Sequence, residues 1–437
     1  MFRYRGEPVF IDPGLFLAAT GGPLELHAAR PSYTEPVALT QVVRDDAGAI
    51  VETRALPATM LNDWVGLKGF LDVTVTDREG NQVAASTNNF CPNGFGRERI
   101  NDEGPFNPSY PEDCYGNPFT RSTVWGIDEG WAANVFGYDT RPLDLRRGRY
   151  TLTTSIAQQY IDAFGIDPAA SSGSVIVRVK RAERCDCPMS RKGLQSRSQP
   201  SDEVPIVTAP DPATLPDLYA LPSWGIHVEN RRAKSRLTFG ATIGAGGASS
   251  MVVEGFRREG EPLMDAFQYF FRDGEVYGKA PVGSLEFDDR DGHDHWHFLQ
   301  FARYTLLSAD SMEVRRSKKE SFCLAPTDPL DLALPGAVWN PGQLGLHSAC
   351  GGPNSLWTRE TLPLGWGDTY FQGLPGQSFN ITDLPNGTYY IAVEANPDGL
   401  LYEQSATNNL ELREVRLRGR AGERRVVVPP WNGIDTE

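Results

Sequence analysis

The chain has 437 residues, 40% of them hydrophobic, which excludes an intrinsically disordered protein and allows two packed domains. No stretch approaches the roughly 20 continuous apolar residues of a membrane helix. A net charge of −14 without a basic groove argues against nucleic acid; an acidic surface would attract cationic substrates, although the charge by itself is better explained by solubility. The 44 glycines and 33 prolines favour short strands joined by turns.

Alternation of apolar and polar residues recurs along the chain. It is clearest in FLDVTVTD (70–77), SVIVRVKR (174–181), RLTFGATI (236–243) and LELREVRLR (410–418). These segments predict half-buried strands, and helical periodicity is weak throughout. The first residues, MFRYRGEPVF, lack the charged-then-apolar layout of a secretory signal, so either the protein stays inside the cell or a leader has been removed.

Residues 183–212 are rich in Ser, Pro and charge, and they predict a linker between two segments of similar size. The predicted parts are, in order, an N-terminal domain (1–182), the linker (183–212), a C-terminal domain (213–420) and a tail (421–437). The linker carries Cys185 and Cys187, for which a metal-binding pair, a strained bridge, a tie to another segment and free thiols all stay open.

The two predicted domains resemble each other as if one had arisen from the other by duplication. In each, a tryptophan precedes a cysteine by 27 residues (91 − 64 and 323 − 296), and a Gly turn leads into an alternating strand, in 145–156 and in 384–395. Each has a second cysteine downstream. The predicted disulfides are Cys91–Cys114 and Cys323–Cys350. We therefore predict a mainly β protein of two tandem antiparallel β-sandwich-like domains.

The segment DDRDGHDHWHFLQFARYTLL (288–307) holds three of the six histidines at alternate positions: His293, His295 and His297. On a strand, such residues point to one face, so their imidazoles can converge on one ion. Imidazole suits zinc, copper, iron and nickel, and three protein ligands leave the open position of a catalytic site. The flanking acids are either partners of the histidines or solvated turn residues, and we favour the second role for the first three of Asp288, Asp289, Asp291 and Asp294.

The N-terminal copy provides an internal control. Aligned on Trp64 and Trp296, it has Leu61, Asp63 and Val65 in place of the three histidines. It cannot build the same metal site, and we predict a structural or docking role for it.

The histidine segment and the motifs after it resemble the catalytic domain of the lysyl oxidase family. The shared motifs, in the family's order, are His-x-His-x-His, Tyr-Thr-Leu-Leu (304–307), Lys-Glu-Ser-Phe-Cys-Leu (319–324), Asp-Thr-Tyr (368–370), Ile-Thr-Asp (381–383) with the strand GTYYIAVEANP, and Thr-Asn-Asn (407–409). PDLYALPSW (216–224) is similar to the start of the family's domain. The resemblance spans roughly 213–420, about half of the chain.

The resemblance implies a copper enzyme with a lysine tyrosylquinone cofactor. It assigns the copper ligands as His293, His295 and His297, and the cross-linked cofactor pair as Lys319 and Tyr370. Lys318, the preceding residue, is the weaker candidate for the cross-linking lysine, because Lys319 keeps the family's distance of four residues to the cysteine. In the N-terminal copy, Thr87 and Trp131 stand at the two cofactor positions, so we expect no quinone there.

The implied activity is oxidative deamination of primary amines, either small amines or lysine side chains of a cationic protein. Asp368 is a weak candidate for the base, and we favour a turn role for it. The family has a cysteine where this chain has Gly292, so a rearranged bridge from Cys323 to Cys350 is expected. The resemblance suggests secretion. Two alternatives stay open: a zinc hydrolase, although no His-Glu-x-x-His motif is present, and a non-catalytic metal-binding adhesion protein with a relic site.

Overall fold

A computed structural model describes residues 2–3, 9, 13–45, 47–94, 96–136, 142–181, 200, 203–289, 294–317, 321–342, 345 and 348–432. Within these residues the chain forms 29 strands and one α-helix, which confirms the predicted mainly β, antiparallel fold. Predicted residues that lie outside the described ranges are His293, Lys318, Lys319, Asp291, Gly292, Cys185 and Cys187. No helix of the described part is long and apolar enough to cross a membrane.

The chain divides into two compact units, of which the N-terminal unit comprises 1–30, 35–116 and 122–192. Its elements are β1 (Phe2–Arg3), β2 (Phe16–Ala18), β3 (Leu24–Ala29), β4 (Ala38–Arg44), β5 (Ile50–Leu56), a 3-10 turn (Ala58–Met60), β6 (Leu67–Thr76), β7 (Gln82–Phe90), β8 (Glu98–Arg99), β9 (Ser122–Ile127), β10 (Trp131–Asn134), β11 (Gly148–Ile156), α1 (Gln158–Phe164) and β12 (Ser172–Arg181). They form sheets of order β1-β12-β11-β6-β7, β5-β4-β3-β9 and β2-β10-β8, antiparallel except for β1 beside β12.

The core of the N-terminal unit lies between its two larger sheets. Leu26 and Trp125 from the four-stranded sheet join Val73 and Leu152 from the five-stranded sheet in one buried apolar cluster. Period-two alternation in β6 and β11 supplies the inward-facing residues, as expected for strands with one face on a core.

The C-terminal unit comprises 31–34, 117–121 and 193–437. Its elements are a 3-10 turn (Pro212–Thr214), β13 (Pro216–Ala220), β14 (Trp224–Arg231), β15 (Lys234–Gly247), β16 (Met251–Phe256), β17 (Leu263–Arg272), β18 (Glu275–Asp288), β19 (His295–Leu299), β20 (Ala302–Ser308), β21 (Glu313–Arg316), β22 (Ser321–Phe322), β23 (Asp328–Pro329), β24 (Trp357–Leu362), β25 (Trp366–Tyr370), β26 (Ser378–Asn380), β27 (Gly387–Ala395), β28 (Leu410–Arg418) and β29 (Arg425–Val427).

Three sheets build this unit. One has the order β13-β15-β25-β23, with β14 and β26 also paired to β15; the others are β22-β19-β18-β17-β16-β24 and β21-β20-β27-β28-β29. The Phe239 ring of β15 stacks on Phe379 at 4.9 Å and meets the edge of Tyr304 of β20 at 5.5 Å. Aromatic packing of this kind joins the first sheet to the third across a buried interior.

The C-terminal unit includes two short segments from early in the chain. Phe119 and Tyr33 pack against Trp431, with ring centroids 5.4 and 5.5 Å apart. The Thr120 hydroxyl donates to the Pro329 carbonyl at 2.9 Å. Both β29 and Trp431 lie in the stretch 421–437, which was predicted to be a tail.

The two units share several features. The strand order β7-β6-β11-β12 in the first matches β21-β20-β27-β28 in the second. In each, a tyrosine two residues after the Gly turn donates to a carbonyl four residues upstream: Tyr150 to Arg146 at 2.9 Å, and Tyr389 to Pro385 at 3.0 Å. Such a tyrosine corner is known from β-sandwiches. One difference is that Trp64 precedes β6 whereas Trp296 lies within β19, so the duplication stays a prediction.

Both predicted disulfides are present. Cys91 is bonded to Cys114, and Cys323 is bonded to Cys350. The second bridge ties the end of β22 to a loop before β24, and it therefore fixes the segment that follows the predicted cofactor lysine.

Candidate functional site

The histidine segment forms β19, which pairs with β18 on one side and β22 on the other. His295 lies opposite Asp288, and His297 lies opposite Glu286. Residues two apart on a strand share a face. The prediction that these histidines lie on one strand therefore holds for His295 and His297, and the position of His293 stays a prediction.

The rings of His295 and His297 lie together. Their centroids are 4.6 Å apart and their planes meet at 74°. His297 is fully buried and His295 is half-buried, so the pair extends from the interior toward the surface. Trp296 between them points to the opposite face, where its ring meets the Phe287 edge at 5.7 Å. Two imidazoles on one side of a strand supply the nitrogen ligands that copper and zinc accept.

Asp288 is not a solvated turn residue, contrary to the role favoured from the sequence. It ends β18, its side chain is 9% exposed, and its Oδ2 lies 3.4 Å from Nδ1 of His297. A carboxylate beside one ring nitrogen orients the imidazole and favours a proton on that nitrogen, which leaves the other free for a metal. Asp294, in contrast, has a φ of 51° and is exposed, as expected of a turn residue.

Tyr370 is the last residue of β25 and contacts β22 next to the histidine strand. Its hydroxyl donates to the Cys323 carbonyl at 3.0 Å, and its ring meets the Phe322 ring edge-on at 4.7 Å. Phe322 itself pairs with Phe298, the residue after His297. The fold thus places the predicted cofactor tyrosine against β22, the strand that pairs with the strand of His295 and His297.

The surroundings of Tyr370 disfavour its ionisation. Burial is the first cause that raises the pKa of its phenol well above the usual value, and the negative charge of Asp368 is the second. Asp368 is 2% exposed and lies within β25, so the turn role favoured for it from the sequence is wrong. Its spacing of two residues places it on the same face of the strand as Tyr370.

Glu360 is a functional candidate that the sequence did not reveal. It lies on β24, is fully buried, and its Oε2 accepts the Leu324 amide proton at 3.1 Å. One of its oxygens lies within 4.8 Å of the sulfurs of Cys323 and Cys350, but the two sulfurs are bonded to each other, so this trio is not a metal site. Nothing local marks Glu360, because its partner is 36 residues away in the chain.

The comparison with known proteins gives a match within the C-terminal unit. Residues 280–426, about one third of the chain, match the lysyl oxidase family model. This confirms the resemblance drawn from the motifs.

The similar proteins carry the corresponding names. The chain is 27% identical over 158 residues to lysyl oxidase homolog 2 of Xenopus tropicalis, over 36% of this chain and 18% of that protein. It is 32% identical over 133 residues to human protein-lysine 6-oxidase, over 29% of this chain and 27% of that protein. It is 31% identical over 120 residues to human lysyl oxidase homolog 4, over 27% of this chain and 14% of that protein. The chain thus spans about a fifth of the length of the first of these relatives.

Proposed function

We propose that the C-terminal unit is a copper-dependent amine oxidase that converts a primary amine, oxygen and water into an aldehyde, ammonia and hydrogen peroxide. The observation that carries the proposal is the bond from the Tyr370 hydroxyl to the Cys323 carbonyl, beside the histidine strand. The match to the lysyl oxidase family supports the same activity.

The described residues fit a copper ion. His295 and His297 present two imidazoles on one strand face, Asp288 orients the second of them, and His293 would be the third ligand. Tetragonal nitrogen and oxygen ligands suit copper(II). Bound copper would activate oxygen, the oxidant, for the conversion of Lys319 and Tyr370 to lysine tyrosylquinone, and that quinone would supply the electron sink for the amine.

The protein's own residues prepare this chemistry. The Cys323 carbonyl holds the Tyr370 hydroxyl, and the buried surroundings keep that phenol protonated until it is processed. Lys319 must lose a proton to act as a nucleophile, which a dry site promotes. Asp368 is the proposed acceptor for the proton next to the substrate nitrogen, since it is buried on the Tyr370 face of β25.

The proposed substrate is a cationic amine, either small or a lysine side chain of a basic protein. A chain with a net charge of −14 attracts positive molecules and repels negative ones. The zinc hydrolase and the relic adhesion protein remain the competing functions, and neither needs Lys319 or Tyr370.

The test is to add copper(II) to metal-free protein in air and to follow quinone absorbance, the phenylhydrazine adduct and peroxide release with a panel of amines. A phenylhydrazine adduct on a peptide containing Tyr370 is the expected result. If neither adduct nor peroxide forms with copper bound, the proposal fails and the other two functions move ahead.

A further inference from the structure

One peptide group links Tyr370 to Glu360. The Cys323 carbonyl accepts the Tyr370 hydroxyl at 3.0 Å, and the Leu324 amide of the same peptide donates to Oε2 of Glu360 at 3.1 Å. A trans peptide is planar, and its C=O and N–H point in opposite directions. The peptide can therefore turn only as a whole, and holding one end orients the other.

The buried position of Glu360 is energetically unfavourable for a carboxyl group. Its side chain has no solvent-accessible surface, and its carboxyl interacts with the backbone amides of Leu324 and Phe298. Burial is the largest cause that raises the pKa of this carboxyl well above the usual value, although both amides act against it. A buried polar group is costly unless it is bonded, so a carboxyl kept in a core is expected to act on the backbone amides that it bonds.

The rest of β24 already holds Leu324 on its other side. The Thr361 amide donates to the Leu324 carbonyl at 3.2 Å, and the disulfide fixes Cys323 to Cys350. These contacts hold the residues on either side but do not bond the amide of the peptide between Cys323 and Leu324. Glu360 is the only described group that bonds the amide end of that peptide.

We propose that Glu360 is a positioning residue for Tyr370, which fixes the Cys323–Leu324 peptide so that its carbonyl holds the tyrosine hydroxyl and orients the ring. The proposal rests on the proposed cofactor role of Tyr370. Without Glu360, the buried amide seeks another acceptor, the peptide rotates, and the carbonyl leaves the phenol. The ring then loses the contact that orients it before the cross-link forms.

The peptide itself can be observed without any enzymatic reaction. Cys323–Leu324 is the only Cys-Leu pair in the sequence, so labelling with carbonyl-¹³C cysteine and ¹⁵N leucine gives a single HNCO peak from this peptide. Tyr370→Phe should shift its carbonyl carbon. Glu360→Leu should shift the amide proton and move the carbonyl carbon toward the Tyr370→Phe position, whereas Glu360→Gln, which keeps an acceptor oxygen, should stay near wild type. The proposal is overturned if Glu360→Leu changes the amide proton alone, or if Tyr370→Phe leaves the carbonyl unmoved.

A second arm follows cofactor formation after copper addition to metal-free protein. Glu360→Leu should form the phenylhydrazine-reactive quinone about tenfold more slowly, with normal copper content and with rescue in Glu360→Gln. Glu254→Gln is the matched control, since Glu254 is 3% exposed on β16 and pairs with Arg359 at 2.6 Å, and Arg359 points to the opposite face of β24 from its neighbour Glu360. An equal slowing in Glu254→Gln means that lost stability is the cause and overturns the proposal.

If wild type forms no quinone, the proposed function fails, but the HNCO arm still decides the role of Glu360. If Glu360→Leu does not fold, the Tyr370→Phe shift and the Glu360→Gln rate still decide it: an unshifted carbonyl, or no rescue by glutamine, overturns it.

Discussion

The Asp288 carboxylate lies 3.4 Å from Nδ1 of His297 and joins the end of β18 to the middle of β19. This cross-strand contact orients the fully buried member of the histidine pair. A ring held in this way presents its other nitrogen in a defined direction, which is how carboxylates next to metal-binding histidines raise metal affinity.

Removal of that carboxylate should weaken copper binding. In Asp288→Ala, we expect the copper dissociation constant to rise about 10–100-fold, because His297 loses its orienting partner. Competitive titration against a copper chelator measures it. Asp289→Ala is the control, since Asp289 is exposed and one residue further along. Equal losses in both variants would mean that overall negative charge, not the contact with His297, attracts the ion.

Substitutions of the cofactor pair and of the copper ligands should have different effects on copper content and on quinone formation. Lys319→Ala should abolish quinone formation and amine oxidation while copper content stays near normal. Lys318→Ala provides the matched control and should remain active, whereas His295→Ala should lose both copper and quinone. Metal analysis and phenylhydrazine labelling measure the two properties. Activity lost in the Lys318 variant and kept in the Lys319 variant would show that the cofactor register is off by one residue.

The two disulfides should have similar effects on stability and different effects on function. They close loops of 27 and 23 residues, so removal of either should lower the free energy of unfolding by about 3 kcal/mol. Cys350→Ser should in addition slow quinone formation, because Cys323 carries the carbonyl that holds Tyr370. Cys114→Ser serves as the control, and a similar slowing in that variant would refute a local role for the C-terminal bridge.

The N-terminal unit should lose stability in acid through Glu25. Burial alone would raise the pKa of this carboxyl, but hydrogen bonds and charges from His27 and Arg44 outweigh it and lower the pKa from 4.5 to about 2. A lowered pKa in the folded state means that the stabilisation is complete above about pH 4.5 and is lost as the pH falls toward 2.

Denaturant unfolding between pH 2 and 7 tests this effect. Glu25→Gln should flatten the pH dependence of the unfolding free energy of this unit. Glu52→Gln is the control, because its pair with Arg54 is exposed and contributes little. An unchanged slope in Glu25→Gln would assign the acid sensitivity to other carboxyls.

Local patterns in the sequence predicted the strands and part of the site. Period-two histidines require a strand to act together, and the structure has His295 and His297 on β19 with their rings in contact. The equal tryptophan-to-cysteine spacings led to the correct disulfide partners. Both inferences depend on residues that are close in the chain or repeated at a fixed distance.

The residues that the sequence did not reveal act across long separations. Asp288 and Asp368 sit in short polar runs that are typical of turns, and only the strand pairing shows them to be buried. Glu360 lies in a run of four polar residues (358–361) that does not predict burial, and its proposed role depends on its bond to Leu324. Cross-strand register decides such contacts, and no local periodicity encodes it.

The segments 31–34 and 117–121 belong to the C-terminal unit, so any truncation of the chain that removes them affects that unit. A fragment that starts after the linker, at residue 213, lacks Phe119, which is 1% exposed and packs on Trp431. In the truncated protein, the aromatic surface of Trp431 that Phe119 covers would be exposed to water, and exposed apolar surface promotes aggregation. Recombinant work on the C-terminal unit should therefore keep the whole chain, or supply these two segments in trans.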